Sequence, residues 1–249
     1  MVNERLRAAI FSNGFDSEKV SSTLGVDRKT VDRWIAGTFP YRRHRHAISA
    51  LLKTDPGYLW PPDSPEQSSQ ISTAELISVW PKRFYAPPNL WLEIFEKASN
   101  NIDILVYAGF WLSEDPAIRK VLEKKAKLGV QVRFLFGALD GKAVANKGIE
   151  EGIGDSLPAK IRNAVHNYRS VLSLENVEVR FHDTTLYCSI YQADDAMLVN
   201  THAYGLPAHM TPLFHIQKIP GGELFTQYSD IFDRVWESAQ LFSESEFAA

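Results

Sequence analysis

Arg28, Lys29, Asp32 and Arg33 lie in one short stretch of the chain, and their types suit one kind of chemistry. Guanidinium and ammonium donors with an interleaved carboxylate can address base edges and phosphates. Arg42, Arg43 and Arg45 follow, with His44 and His46 between them, just after the turn Gly37-Thr38-Phe39-Pro40. Beside a recognition helix such a run grips phosphate, a contact that is strong, salt-dependent and blind to sequence.

These side chains need a helix to carry them, and the segment Ser17 to Trp34 has the pattern of a helix-turn-helix. Gly25 is the turn residue, where a left-handed backbone is easiest without a Cβ. Val20 and Leu24 fill one face of the first helix, and small Ser21 lets the second cross closely. Val26, Val31 and Trp34 give the second helix its buried stripe, leaving Arg28, Lys29, Asp32 and Arg33 outward. Asp27 sits at the N-cap, where its carboxylate accepts from free backbone amides. A preceding helix is expected over Asn3 to Ser12, with Phe15 packing back on the bundle, and a fourth over Arg42 to Leu52. Asp55-Pro56 then opens a short last turn ending in Tyr58-Leu59-Trp60.

The net charge of −3 over 249 residues conceals an asymmetry. Residues 1 to 60 hold ten Lys+Arg against six acids, and the remainder seventeen against twenty-four, so the parts carry +4 and −7. The positive field that DNA requires is thus confined to the N-terminal part. A hydrophobic content of 45% is ample for folded cores. The single cysteine, Cys188, excludes an intrachain disulfide and suits a reducing cytoplasm. No apolar run approaches the roughly 18 residues of a membrane span, so a cytoplasmic protein without a membrane partner is expected.

Residues 61 to 70, PPDSPEQSSQ, combine three prolines with polar neighbours and read as a linker. The expected domains are 1–60 (helix-turn-helix), 61–70 (linker) and 71–249. Beyond the linker strands alternate with helices. Strands are expected at Ile102 to Gly109, Val130 to Gly137, Val177 to Phe181, Tyr187 to Ala193, Ala196 to Thr201 and Leu213 to Ile219. Helices are expected at Asn89 to Ala98, Asp115 to Leu128, Ala159 to Leu174 and Gly222 to Phe242. The fold class is therefore an N-terminal all-α domain followed by an α/β domain, a mixed sheet flanked by helices. Gly137 to Asp155, rich in glycine, reads as irregular chain that could line or cover a pocket.

The motif GVDRKTVDRWIAG with the following PYRRHRHAISALL resembles the lambda-repressor-like helix-turn-helix domains of the XRE family of bacterial transcriptional regulators. That resemblance places the second motif helix in the major groove. Arg28 and Arg33 then suit bidentate guanine contacts, and Asp32 accepts from cytosine or orients an arginine, with Lys29 beside them. Thr38, Tyr41, Arg42, Arg43 and Arg45 are left to hold the DNA backbone.

NIDILVYAGF, a helix, VQVRFLFG, VEVRF, a hairpin and an asparagine-containing strand resemble a phospholipase D-like domain. Active members carry HxKxxxxD, and the segment that aligns is Tyr187-Cys188-Ser189-Ile190-Tyr191-Gln192-Ala193-Asp194. Tyrosine takes the histidine position and serine the lysine position, so only the aspartate remains. The family's GSxN falls on Thr201-His202-Ala203-Tyr204, which also departs. The resemblance implies a retained fold without phosphodiester hydrolysis, and hence a chain that is not an enzyme. A ligand pocket lined by Tyr107, Tyr187, Ser189, Asp194, Asn200 and His202 is implied by the same alignment.

No GxSxG, GxxxxGK[ST], HExxH or paired CxxC occurs. His44 and His46, two apart on a helix, cannot share a face. His182, His202 and His215 could converge at one end of the sheet with Asp183 or Asp194, but ordinary hydrogen-bonded histidines are the preferred reading, with no metal and no cofactor. Cys188 reads as a small buried hydrophobe. Trp80, Phe84, Trp91, Phe95, Phe110 and Trp111 are expected in the second core.

The expected function is a dimeric, sequence-specific transcriptional regulator, repressor or activator, whose partners are operator DNA and a second copy of itself, with a catalytically degenerate C-terminal domain that serves dimerisation or the sensing of a small-molecule effector. Two alternatives stay open: a phospholipase D-type phosphodiesterase or nuclease, and an antitoxin-like or defence-system interaction protein.

Overall fold

A computed structural model describes residues 2–60 and 71–242 of the chain. The expected linker, 61–70, and the last seven residues of the expected second domain lie outside the described residues. Two compact units emerge, one built on the chain up to Glu75 with the segment Ile219–Glu223, the other on Leu76–Lys218 and the chain from Leu224 on.

The first unit is helical: α1 (Glu4–Ser12), α2 (Ser17–Leu24), α3 (Arg28–Ile35), α4 (Arg42–Leu52) and α5 (Pro56–Leu59). The α2–α3 turn is made by Gly25 at φ 65°, a left-handed conformation that costs an L side chain more than glycine. Asp27 caps α3 by accepting from the Lys29 amide at 2.7 Å. Leu6, Ile10, Val20, Val31, Trp34, Ile48, Leu52, Leu59 and Trp60 form the core, so apolar side chains of all five helices meet in one place.

The second unit carries an eight-stranded sheet of order β1-β7-β6-β5-β2-β3-β4-β8. The strands are β1 (Leu76–Trp80), β2 (Asn101–Leu105), β3 (Gln131–Gly137), β4 (Val177–His182), β5 (Cys188–Ala193), β6 (Ala196–Thr201), β7 (Leu213–Gln217) and β8 (Gln240–Leu241). Only β2–β3 and β3–β4 are parallel, which makes the sheet mixed. The helices are α6 (Leu90–Lys97), α7 (Phe110–Glu114), α8 (Pro116–Lys127), α9 (Lys142–Glu150), α10 (Ser156–Leu172) and α11 (Leu224–Ser238).

Side-chain alternation assigns the two faces. Phe134 of β3 meets Tyr168 of α10, and Tyr191 of β5 meets Trp91 of α6. Asp103 and Arg133, paired across β2 and β3, point to the opposite face, where the guanidinium lies over Phe232 and Trp236 of α11. Arg133 bonds the buried Asp103 carboxylate through two nitrogens, at 2.6 and 2.9 Å. A charge so enclosed is tolerable only because it is paired.

Three expectations are corrected. Lys142–Glu150 is a helix inside the segment read as irregular, and its Gly148 is there for a close approach, since a Cβ would lie 2.5 Å from the Gly154 carbonyl oxygen. The edge strand β1 and the short α7 were not expected. Phe84 is exposed rather than in the core, whereas Trp91 and Phe95 are buried and Trp80, Phe110 and Trp111 pack half-buried against the core.

Candidate DNA-binding face and phosphate pocket

In the helical unit α3 anchors itself through buried Val31 and Trp34 and leaves Arg28, Lys29, Asp32 and Arg33 exposed. Arg28 lies 3.7 Å from Glu18 and 3.9 Å from Asp32. Such exposed pairs are worth about 0–1 kcal/mol, so they orient Arg28 without engaging it firmly. Thr38, Tyr41 and Arg43 are exposed as well. Arg45 is half-buried with its guanidinium 4.5 Å over the Phe39 ring, so its reach to a phosphate is more restricted than that of Arg43. Arg42 is the first residue of α4.

The second unit holds a pocket of about 230 Å³, lined by side chains from distant parts of the chain. Arg83 comes from the 3-10 turn Arg83–Tyr85, Tyr107 from the end of β2, Lys147 and Glu151 from α9 and its end, Lys160 from α10, Ser189 and Tyr191 from β5, and His202 and His209 from beyond β6. The aromatic wall is Phe110 and Trp111, with Arg83 stacked 4.4 Å over the Trp111 ring.

At its floor Ser189 Oγ lies 3.0 Å from His202 Nε2. The hairpin explains the meeting. Ser189 pairs with Asn200 across β5 and β6, and His202 lies two residues further on the same face, the diagonal neighbour of Ser189. His202 Nδ1 lies 3.2 Å from the Leu186 carbonyl. A carbonyl only accepts, so Nδ1 carries the proton and Nε2 presents its lone pair to the serine hydroxyl. Burial takes the His202 pKa down to about 4. Lys147 and Arg83 push the same way, while the Leu186 hydrogen bond and Glu150 oppose them. The imidazole is therefore neutral at pH 7, with its Nε2 lone pair available to the Ser189 hydroxyl.

Lys147 is buried, 2.8 Å from Glu150 and 3.4 Å from Glu151. Its hydrogen bond holds the Glu150 carboxyl below its ordinary range. Burial raises the Tyr191 phenol, with Arg83 and Ser189 opposing. The lining thus joins a hydroxyl, a neutral base and three cationic side chains, a composition suited to a phosphoryl group.

Of the residues expected in a pocket, the structure brings together Tyr107, Ser189 and His202. Tyr187 is 80% exposed and does not line it. Asp194 sits at the other end of β5, at φ 47° in the hairpin turn, where its carboxylate accepts from the amides of Ser99, Asn100 and Asn101 at 2.6, 2.9 and 2.9 Å. Asn200 is fully buried and donates to Thr211 Oγ1 and the Pro212 carbonyl, each at 3.0 Å. His182 is buried against the Val106 carbonyl and His215 lies on β7, so the three histidines do not converge. No group of three metal-ligating side chains occurs among the described residues. Sequence reasoning missed Arg83, Lys147, Lys160 and His209, because no local spacing links them.

No protein-family model matches the chain, and no curated protein matches it in sequence. Among solved structures it is similar to TrmBL2, an archaeal chromatin protein described as showing a novel mode of DNA binding, at 15% identity over 81% of this chain and 62% of that one, with a TM-score of 0.41. It is also similar to Nuc, a phospholipase D family member from Salmonella typhimurium (14%, 61% and 88%, TM-score 0.39). A third is the phosphatidylserine synthase of Haemophilus influenzae (16%, 63% and 37%, TM-score 0.43). The chain spans less than two thirds of the length of TrmBL2. What these proteins bind or do stays with them at such identities. The expectation that the chain is not an enzyme is corrected at this point. A phospholipase D family member and a phosphatidylserine synthase are among the similar structures, and the pocket pairs a hydroxyl with a neutral base. No helix among the described residues is long and apolar enough to cross a membrane.

Proposed function

We propose that the chain is a DNA-binding protein whose helical unit reads an operator and whose α/β unit takes a phosphate-bearing ligand. The observation that carries the first half is the exposed face of α3, with Arg28, Lys29 and Arg33 turned to solvent by the burial of Val31 and Trp34. Pairing of two copies would give such a small reading head two half-sites about one helical turn apart, and with them usable affinity. A ligand in the α/β unit would act as effector by binding the DNA-competent and incompetent states differently.

The test is selection and sequencing of random duplexes retained by the full-length protein at near-physiological salt. An enriched inverted repeat is the expected outcome. Retention without any enriched sequence would overturn the operator reading and leave non-specific backbone contact.

A second reading, that the α/β unit is itself a phosphodiesterase or related hydrolase of the phospholipase D-like class, is favoured by one observation. Ser189 and His202 stand at hydrogen-bond distance inside a cation-lined pocket. Turnover of a phosphate ester by the purified protein would support it.

A further inference from the structure

We propose that Ser189 is a nucleophile and His202 its general base in the hydrolysis of small phosphate monoesters, through a phosphoserine intermediate. The inference rests on the reading of the pocket as a phosphate site and adds covalent chemistry to it.

A serine hydroxyl is a weak nucleophile until an adjacent base takes its proton, and that base must be oriented by a third group. All three parts are present. Ser189 Oγ lies 3.0 Å from His202 Nε2, and the Leu186 carbonyl, 3.2 Å from Nδ1, fixes the ring and its tautomer. Tyr107 stacks on the imidazole at 5.9 Å between ring centroids, leaving Nε2 directed at Ser189. Ser189 itself is 5% exposed, so the reacting oxygen is sheltered from bulk water yet lines the pocket.

Substrate class follows from the lining. Arg83 and Lys160 supply positive charge for a phosphoryl group, while the charge of Lys147 is compensated by Glu150 and Glu151 and leaves it as a hydrogen-bond donor at the lining. A volume of about 230 Å³ is below that of ordinary drug-sized ligand sites and fits a terminal phosphoryl group with a small alcohol.

In the first step Ser189 Oγ bonds to phosphorus, its proton passes to His202 Nε2, and the bond from phosphorus to the ester oxygen breaks. The leaving alcohol takes the proton back from Nε2. Water then attacks the phosphoserine, giving its proton to Nε2. The phosphorus–Oγ bond breaks, Oγ recovers that proton, and inorganic phosphate leaves. The sum is ester plus water to alcohol plus phosphate, with no oxidant or further reactant.

The experiment uses the full chain with p-nitrophenyl phosphate, bis(p-nitrophenyl) phosphate and p-nitrophenyl acetate. Phosphate binding by calorimetry is measured alongside for the wild type, Ser189→Ala and His202→Gln. The expected results are release of p-nitrophenolate from the monoester, and a phosphoryl group on the peptide containing Ser189 after acid quench. Ser189→Ala should lose the label, and His202→Gln should lose about 10²–10⁴-fold in rate. Retained phosphate binding by Ser189→Ala would show that the variant is folded. Phosphate binding without turnover would overturn this inference and leave the phosphate-site reading intact, whereas absence of both would overturn the two together. Turnover of the diester alone, or labelling of Ser189 only by the acetate, would overturn the substrate class.

Discussion

Tyr107 and His202 stack with their planes 21° from parallel, and both are fastened to Leu186. The Leu186 amide donates to the Tyr107 hydroxyl at 2.9 Å, and its carbonyl faces His202 Nδ1. One buried residue of the loop before β5 therefore fixes both rings. Tyr107→Phe keeps the stacking surface but strands the buried amide. Losing a partner for such a group costs about 1–3 kcal/mol. Urea unfolding should show that loss as a lower midpoint at unchanged slope. An unchanged midpoint would mean that water replaces the hydroxyl.

Asp194 is the second structural tie, and its removal should be felt as stability rather than as lost phosphate binding. Burial raises its pKa, but hydrogen bonds from three backbone amides outweigh this and hold the carboxyl below its ordinary value. A pKa depressed on folding stabilises the fold above the unfolded value of about 3.9, and the gain is lost as pH falls through the folded value. Asp194→Ala should accordingly unfold at lower urea than the wild type at pH 7, with the gap narrowing in acid. Calorimetric phosphate affinity should be unchanged at pH 7, and a large fall in it would place Asp194 in the site after all.

Much of this architecture was legible in the sequence, because the signals are local. Gly25, Asp27, Val31 and Trp34 specify the turn, cap and stripe of α3 within ten positions, and β2 to β7 each carry β-branched and aromatic residues, alternating with polar ones or in short runs, densely enough to be read singly. β1 escaped because its pattern is inverted, polar Ser78 lying on the half-buried face while Ile77 and Val79 face outward on an edge strand. The α9 helix escaped because the glycines of 137–155 suggest irregular chain, whereas Gly148 lies within the helix and serves close packing against Gly154. The pocket was half legible for a topological reason. Ser189 and His202 belong to one hairpin, whereas Arg83, Lys147 and Lys160 arrive on separate elements that only the folded sheet gathers.

The exposed face of α3 and the start of α4 should separate by mutation. If Arg28 and Arg33 read bases, Arg28→Ala and Arg33→Ala should each cost about 1–3 kcal/mol and relax sequence preference. Arg43→Ala, exposed on α4, should weaken all duplexes alike and flatten the dependence of affinity on salt. Binding measured across salt concentrations on selected and scrambled duplexes distinguishes the two patterns. Loss of selectivity from Arg43→Ala alone would shift the reading surface from α3 to α4.

Cys188 offers a probe of the strand that carries Ser189. Its thiol is buried at the start of β5, paired with Thr201 on β6, and burial pushes its pKa up to about 11. The thiolate is the reacting species, so a raised pKa and a closed strand both suppress reaction. A disulfide reagent at pH 8 should label the native protein slowly and the urea-unfolded protein at once. While the fold is intact, raising the pH should speed native labelling through the growing thiolate fraction. Tyr107→Phe should speed it at fixed pH, because loosening Leu186 frees the loop that leads into β5, and local opening there need not require global unfolding. Fast labelling of the native wild type would mean that the start of β5 opens readily, a mobility incompatible with a fixed Ser189–His202 geometry.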